Sequence, residues 1–421
     1  MTGGNWPVKA DRIAEDIEAL ARITDPDKPW TRRAFTPRFL EGRAYIEARM
    51  RAAGLETRID AAGNLIGRRA GLKPGLGTLI IGSHSDTVPD GGRFDGVAGV
   101  VTALEVARSL AEAGIELDHD LEVVDFLAEE VSIFGVSCVG SRAMAGRLDP
   151  AWLARVSGDL TLAEGIRQVG GDPERLADAA RRDITGFIEL HIEQGPVLED
   201  NVDDIGVVSA IVGITRIEFV VDGRADHAGT TPMNARRDAL VAAADLVRAI
   251  RALAMEHAQG EGHFTATVGE FRVFPNAANV VPSKVELLID ARAECRATME
   301  AFIAQLGVET PALELDHGVT IVGPRIISDN EAVACDPALQ ATLAQAADEL
   351  GLPRRALASG AGHDAAWIAR VAPSAMVFIP CHEGRSHTPD EWTENEAIAK
   401  GAAVIYEAIR RLDGAEASTT S

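Results

Sequence analysis

The chain has 421 residues, enough for two or three domains with ample core at roughly 100–200 residues each. Hydrophobic residues make up 46% and charged residues 25%, the composition of a soluble globular protein and not of a disordered or fibrous one. Lys and Arg number 41 against 64 Asp and Glu, so the net charge of −23 makes nucleic acid and anionic membrane poor partners. Cys138, Cys295, Cys335 and Cys381 are far apart and form no CxxC, which points away from a disulfide framework or a zinc finger and toward reduced thiols. The first residues lack a charged segment followed by an apolar one, and no apolar run approaches the roughly 18–20 residues of a membrane span. A soluble, cytoplasmic protein is expected.

From Asp11 to about Gly54 apolar residues recur at helical spacing (Ile13, Ile17, Leu20, Ile23, then Ala44, Ile46, Met50), and a short strand and turn follow near Glu56–Ile66. Gly77-Thr-Leu-Ile-Ile-Gly-Ser-His84 reads as a buried strand ending in a polar loop. Gly96–Glu112 reads as an amphipathic helix, and Asp120–Ala128 and Ile184–His191 as two further strands that run into polar residues. Past Ser209 the order becomes strand (Ile214–Asp222), helix (Asn234–Ala258), strands (Phe264–Phe271 and Lys284–Arg292), short helix (Ala297–Leu306) and strand (Val319–Val322). That order is an inserted α+β module. A helix at Pro337–Leu350, a glycine-rich loop at Ala358–Asp364, a strand at Ser374–Ile379 and a helix at Glu394–Arg411 complete the larger domain. The expected architecture is a doubly wound, mixed-sheet α/β catalytic domain, residues 1–210 and 327–415, with a ferredoxin-like α+β domain inserted at 211–326 and a disordered tail at 416–421.

The strand ends carry the chemistry. His84 with Asp86 two residues on can hold a metal while the acid supports the ring, and Asp95, framed by glycines, is a second candidate. The alternative is a loop of turn formers capping the next helix. Glu129-Glu130 could pair a metal ligand with a group handling the proton of a water, or be two solvated acids. His191 and His387 also fall in polar strand-end loops, and each alone reads as structural. Together, His84, Asp95, Glu130, His191 and His387 supply three imidazoles and two carboxylates. Such a set suits two divalent ions of the zinc, manganese, cobalt or nickel type, with one carboxylate bridging.

Read together, Gly82-Ser-His84-Ser-Asp86-Thr, Gly91-Gly-Arg-Phe-Asp95-Gly, Glu129-Glu130, His191-Ile-Glu-Gln-Gly-Pro, Asp226-His227-Ala-Gly-Thr-Thr-Pro-Met233, Asn279-Val-Val-Pro282, Ser359-Gly-Ala-Gly-His363-Asp364 and Ser386-His387-Thr-Pro form one pattern. It resembles the N-carbamoyl-L-amino acid amidohydrolase family, with β-alanine synthase and allantoate amidohydrolase, in the clan of binuclear-metal aminoacylases and carboxypeptidases. The resemblance runs from about residue 80 to 395. It implies that Asp95 bridges two ions, with His84 and His191 on one and Glu130 and His387 on the other. Asp86 would support His84, Glu129 would act as general base, and Gln194 would contact substrate. In the inserted domain, which resembles the family's dimerisation or lid domain, His227 would stabilise the oxyanion. Asn279 and Arg292 would hold the substrate carboxylate, and Gly360 could add a backbone N–H.

The implied protein is a homodimeric hydrolase of N-carbamoyl-L-amino acids or related ureido acids. An aminoacylase or dipeptidase acting on N-acyl or peptidyl amides is the alternative, and a noncatalytic binding protein the bland one. After Glu129-Glu130 the family commonly continues with glycine and an Arg-Phe element, whereas this chain has Val131-Ser-Ile-Phe-Gly-Val-Ser-Cys138, which leaves the pocket wall and substrate side chain open. His382 and Glu383 are further potential ligands, and His363-Asp364 a pair without an assigned role.

Overall fold

The computed structural model describes residues 6–414. The expected tail at 416–421 lies outside them. The chain divides into two compact units. The first comprises the described residues up to Ser209, Ala334–Ala356 and the described residues from Gly362. The second comprises Ala210–Val333 and Leu357–Ala361. The expected return at 327 falls inside the strand Thr320–Asn330, which is much longer than the Val319–Val322 read from apolar content. Beyond Val322, Arg325, Ile326 and Ser328–Asn330 still pair with the neighbouring strand although none of them is buried, so backbone hydrogen bonding carries it further than the hydrophobic pattern does.

The first unit is built on a nine-stranded mixed sheet. At its centre Asp120–Phe126, Thr78–His84, Ile184–Ile192 and Ser374–Ile379 lie side by side in that order, all parallel. These strands are buried along nearly their whole length because both faces are covered, and the polar residues Glu122, Asp125 and Glu189 are buried with them. Successive strand residues point to opposite faces. Accordingly Leu190 packs toward Gly401 of the helix Asn395–Asp413, while the Glu189 carboxylate accepts the N–H of Ala365 at the start of the helix Ala365–Ile368. Antiparallel strands flank this centre: Leu65–Arg69 beside Asp120–Phe126, and Ile205–Ile211 beside Ser374–Ile379. Several elements escaped the pattern reading, among them a strand and two short helices. Arg354–Ser359 is a strand, although its burial does not alternate cleanly, and short helices at Val139–Met144 and Leu162–Gln168 fill the stretch after the paired glutamates.

The second unit follows the order strand Gly213–Asp222, helix Ala239–His257, strands Phe264–Phe274 and Lys284–Ala293, helix Arg296–His317 and strand Thr320–Asn330. In the sheet, Gly213–Asp222 and Lys284–Ala293 are central and every neighbouring pair is antiparallel. This is the ferredoxin-like arrangement. The two central strands alternate buried and exposed residues. Their buried side chains Ile217, Phe219, Val221, Val285, Leu287 and Ile289 pack with Leu246, Ile250, Phe302 and Leu306 from the helices. Asp238 caps the first helix by accepting from the N–H groups of Leu240 and Val241, which sets its start after the expected Asn234. The second helix was expected to stop at Leu306. It runs on to His317 instead, with Thr310 buried and bonded to the Gly307 carbonyl and Leu313 packed on the core.

Among the described residues no helix is long and apolar enough to cross a membrane. Phe302, fully buried between the helices and sheet of the second unit, is a test of that core. Phe302→Ala is expected to destabilise it by about 3–5 kcal/mol in denaturant unfolding, and a loss below about 1 kcal/mol would contradict the packing described.

Candidate metal centre and active site

Four parallel strands open at the same edge, where crevices outside the strand ends favour ligands. His84 is the last residue of its strand, and its Nδ1 lies 3.0 Å from the Asp86 carbonyl oxygen. A carbonyl only accepts, so the ring proton sits on Nδ1 and Nε2 faces inward. His191 repeats the device with Nδ1 2.9 Å from the Ile192 carbonyl. Both inward Nε2 atoms lie 3.4 Å from Oδ1 of Asp95. On the other side of Asp95, His387 Nε2 is 3.4 Å from Oδ2 and 3.0 Å from Glu130 Oε1. The result is two donor groups, His84–Asp95–His191 and Asp95–Glu130–His387, each with ligand atoms within 4.8 Å of one another and sharing one carboxylate.

The electrostatics favour a cation at this centre. Asp86, Asp95, Glu129 and Glu130 are all buried in one region. Burial disfavours the His84 imidazolium, yet Glu129, Asp95 and Asp86 carry its pKa well above the ordinary value. His191 rises too, despite burial, through Asp95. Hydrogen bonds to Asp95 and Glu130 raise His387 to about 11. Burial opposes Asp95, and the three imidazoles nevertheless hold it well below the carboxylate range. Burial, followed by the charge of Glu130, pushes Glu129 well above that range. The centre thus draws positive charge onto its imidazoles, and mixed N/O donors at this spacing suit divalent ions in place of those protons.

The Glu129-Glu130 pair is held at its backbone. Ala128 adopts a left-handed φ of 54°, and the Asp86 carboxylate accepts the N–H of Glu129 at 3.3 Å and of Glu130 at 3.2 Å. Asp86 therefore meets His84 through its carbonyl, while its carboxylate, 3.7 Å from the ring, braces the glutamates. Burial pushes that carboxyl up to about 7. Glu129 Oε2 is 3.6 Å from His84 Nε2, and the Cys138 thiol lies 3.7 Å from Glu129 Oε1. Gly96, at φ 64°, leaves no room for a side chain, because a Cβ would stand 2.3 Å from the His84 ring.

Gln194 was expected at the substrate. Here its amide donates to Asp95 Oδ2 at 2.6 Å and to Ser386 Oγ at 3.2 Å, bracing the shared carboxylate. The His382 ring meets Glu199, whose carboxylate is 3.0 Å from His382 Nδ1 and also accepts the Glu383 backbone N–H at 2.6 Å, and neither residue belongs to the two donor groups. His363 packs its ring 4.5 Å from that of His191, and burial followed by the His191 charge drives its pKa well below normal. Sequence reasoning passed over Cys138, Ser386 and Glu391. Only Glu391 carried a signal, as the last acid of Ser386-His-Thr-Pro-Asp-Glu391.

The remaining candidates belong to the second unit. His227 is exposed, and its segment pairs with Asn279–Val281: Ala228 N–H donates to the Asn279 carbonyl, and Val281 N–H to that of Asp226. The His227 Nδ1 accepts the N–H groups of Gly229 and Thr230 at 3.1 and 3.2 Å. In the neutral ring the proton is therefore on Nε2. Arg292 is fixed by Nε to Asp290 Oδ1 at 2.8 Å and by Nη1 to the Gly360 carbonyl at 2.7 Å. Gly360 was expected to offer its N–H, and the contact it makes in this structure is through its carbonyl.

The family model for peptidase family M20/M25/M40 matches residues 80–411. The chain is 38% identical over 409 residues to the N-carbamoyl-L-amino-acid amidohydrolase of Paenarthrobacter aurescens, covering 96% of this chain and 98% of that one. It is 35% identical over 421 residues to the ureidoglycolate hydrolase of Oryza sativa subsp. japonica, covering 98% and 87%. A crystal structure of an amidase of the hydantoinase/carbamoylase family from Burkholderia multivorans superimposes with a TM-score of 0.89 at 36% identity, covering 96% and 98% of the two chains. With the matched segment spanning the strand-end cluster and the whole second unit, this chain belongs to peptidase family M20/M25/M40.

Proposed function

We propose that this protein hydrolyses the ureido C–N bond of N-carbamoyl-L-amino acids or related ureido acids, using two divalent ions. The observation that carries the reading is Asp95, flanked on one oxygen by His84 and His191 and on the other by His387 with Glu130, beside the buried Glu129. The names of the relatives, an N-carbamoyl-L-amino-acid amidohydrolase and a ureidoglycolate hydrolase, support the choice of a ureido bond. His84, His191, Asp95, Glu130 and His387 would hold the two ions, and zinc, manganese, cobalt and nickel all suit such ligands. When bound, the ions supply Lewis acidity, which polarises the substrate carbonyl and makes water more acidic.

The chain's own residues do the rest. Glu129 takes a proton from the attacking water as the new C–O bond forms and delivers it to the leaving nitrogen as the C–N bond breaks. His227, with its proton on Nε2, donates to the carbonyl oxygen as negative charge develops there. Arg292, pinned by Asp290 and Gly360, keeps further N–H groups for the substrate carboxylate, and Asn279 adds an amide. Asp86 and Gln194 act by holding the glutamate pair and Asp95. A carbamoyl substrate would yield the free amino acid, ammonia and carbon dioxide. The reading includes a cytoplasmic homodimer that takes a small-molecule acid.

The deciding experiment compares N-carbamoyl, N-acetyl and dipeptide derivatives of one amino acid. The carbamoyl compound is expected to give the highest kcat/KM, chelation to abolish turnover and added zinc or manganese to restore it; cleavage of the peptide alone would overturn the assignment. Glu129→Gln is expected to lower kcat by about 10²–10⁴-fold with metal content unchanged, and a variant retaining wild-type kcat would remove Glu129 from the mechanism. Arg292→Ala is expected to raise KM by roughly tenfold to a hundredfold for substrates with a free carboxylate, as loss of a charged hydrogen bond does. An equal effect on the amidated analogue would show that Arg292 serves some other purpose.

A further inference from the structure

Of the five residues in the two donor groups, Asp95, Glu130 and His387 sit beyond the strands, Asp95 and His387 in the stretches 91–96 and 386–391. No strand pairing fixes either stretch, so something else must hold them together. At their junction lies Glu391, 1% exposed. Its Oε1 accepts the N–H of Phe94 at 2.8 Å and of Asp95 at 3.0 Å. Its Oε2 is 2.8 Å from Ser386 Oγ, which is itself 2.9 Å from Asp95 Oδ2. The 91–96 stretch is shaped around this carboxylate: a Cβ on Gly92 would stand 1.9 Å from the Glu391 carboxyl carbon. Next door the two stretches also interlock by side chains. The Arg93 guanidinium lies 4.6 Å from the Trp392 ring centre and 4.8 Å from that of Trp30, and Phe94 meets Trp392 edge-on at 5.5 Å.

We propose that Glu391 is the positioning residue for the shared ligand Asp95, gripping its backbone through the Phe94 and Asp95 N–H groups and its side chain through Ser386. The proposal rests on the reading of Asp95 as the ligand common to two ions. Glu391 is in neither donor group and touches neither water nor substrate in the scheme above. Its effect passes through Asp95, which must keep one oxygen toward each donor group. Groups that orient a metal ligand typically matter by 10–100-fold in metal affinity.

The side-chain chemistry separates two substitutions. Glu391→Ala leaves two buried N–H groups without their acceptor. Glu391→Gln keeps Oε1 as acceptor and turns Nε2 toward Ser386 Oγ as a donor, so that the serine proton passes to Asp95. The glutamine should therefore rescue what the alanine loses. Protein stripped with a chelator is titrated with zinc against a chromophoric chelator, and with cobalt while the visible absorption is followed. Wild type is expected to take up two ions per chain. Glu391→Ala should bind at least one of them 10–100-fold more weakly, with an altered cobalt spectrum, and Glu391→Gln should stay within a few-fold of wild type. Wild-type affinity and spectrum in Glu391→Ala would overturn the proposal, as would a glutamine variant as weak as the alanine. If Glu391→Ala does not fold, Ser386→Ala decides: weakened zinc binding supports the link through Ser386, and unchanged binding refutes it. A wild-type protein that takes up fewer than two ions overturns the Asp95-centred reading itself, an outcome distinct from failure of the Glu391 role.

Discussion

Four carboxylates, Asp86, Asp95, Glu129 and Glu130, and the imidazoles of His84 and His191 share one buried region at the sheet edge, with His387 half-exposed beside them. Buried charges of one sign are costly unless positive charge lies among them. Here that demand is visible in the titration behaviour: His84, His191 and His387 are all raised, while Asp95, at the centre of the three rings, is lowered. A centre with this balance is poorly suited to standing alone and well suited to divalent ions. The rest of the first unit can be understood as the means of holding those acids close together against their repulsion.

Topology supplies the first part of that means. Four adjacent parallel strands deliver His84, the Glu129-Glu130 pair, His191 and the 386–391 stretch to one edge, with registers set by backbone hydrogen bonds and both sheet faces packed. The second part is a set of polar side chains that never reach the centre. The Asp86 carboxylate fixes the backbone of the glutamate pair, Gln194 grips Asp95, and backbone carbonyls of Asp86 and Ile192 turn the two buried imidazoles inward. Left-handed backbone at Ala128, Gln194 and His387 marks where this arrangement departs from relaxed geometry. Strain in non-glycine residues persists only where surrounding contacts over-determine it.

The second unit meets a different requirement. Its ferredoxin-like sheet and two helices enclose an apolar core of their own. On that base the segment at His227 pairs with Asn279–Val281, and Arg292 is pinned between Asp290 and Gly360. Donors held in this way lose little freedom when a carboxylate or a developing oxyanion arrives, which is the physical basis of preorganised recognition.

Much of this was legible in the residues. Largely apolar runs ending in His or acid announced the parallel strands, because a strand covered on both faces does not show the regular polar alternation of a half-exposed one. Alternation and helical spacing announced the inserted module. Legibility failed where pairing or capping outweighs hydrophobic pattern: the full Thr320–Asn330 strand, the helix running through Pro311 to His317, and the Arg354–Ser359 strand. The sequence by itself determined which residue types could bind cations and on which strand ends they stand, since those follow from local periodicity and side-chain chemistry. Only the tertiary structure decided that Asp95 faces both donor groups, that Gln194 braces it, that the His382 ring and the Glu383 backbone N–H meet Glu199, and that Glu391 accepts the Asp95 N–H. Those choices depend on contacts between segments nearly 100 to 300 residues apart, and no local preference encodes which of several nearby acids, amides or imidazoles will be turned inward.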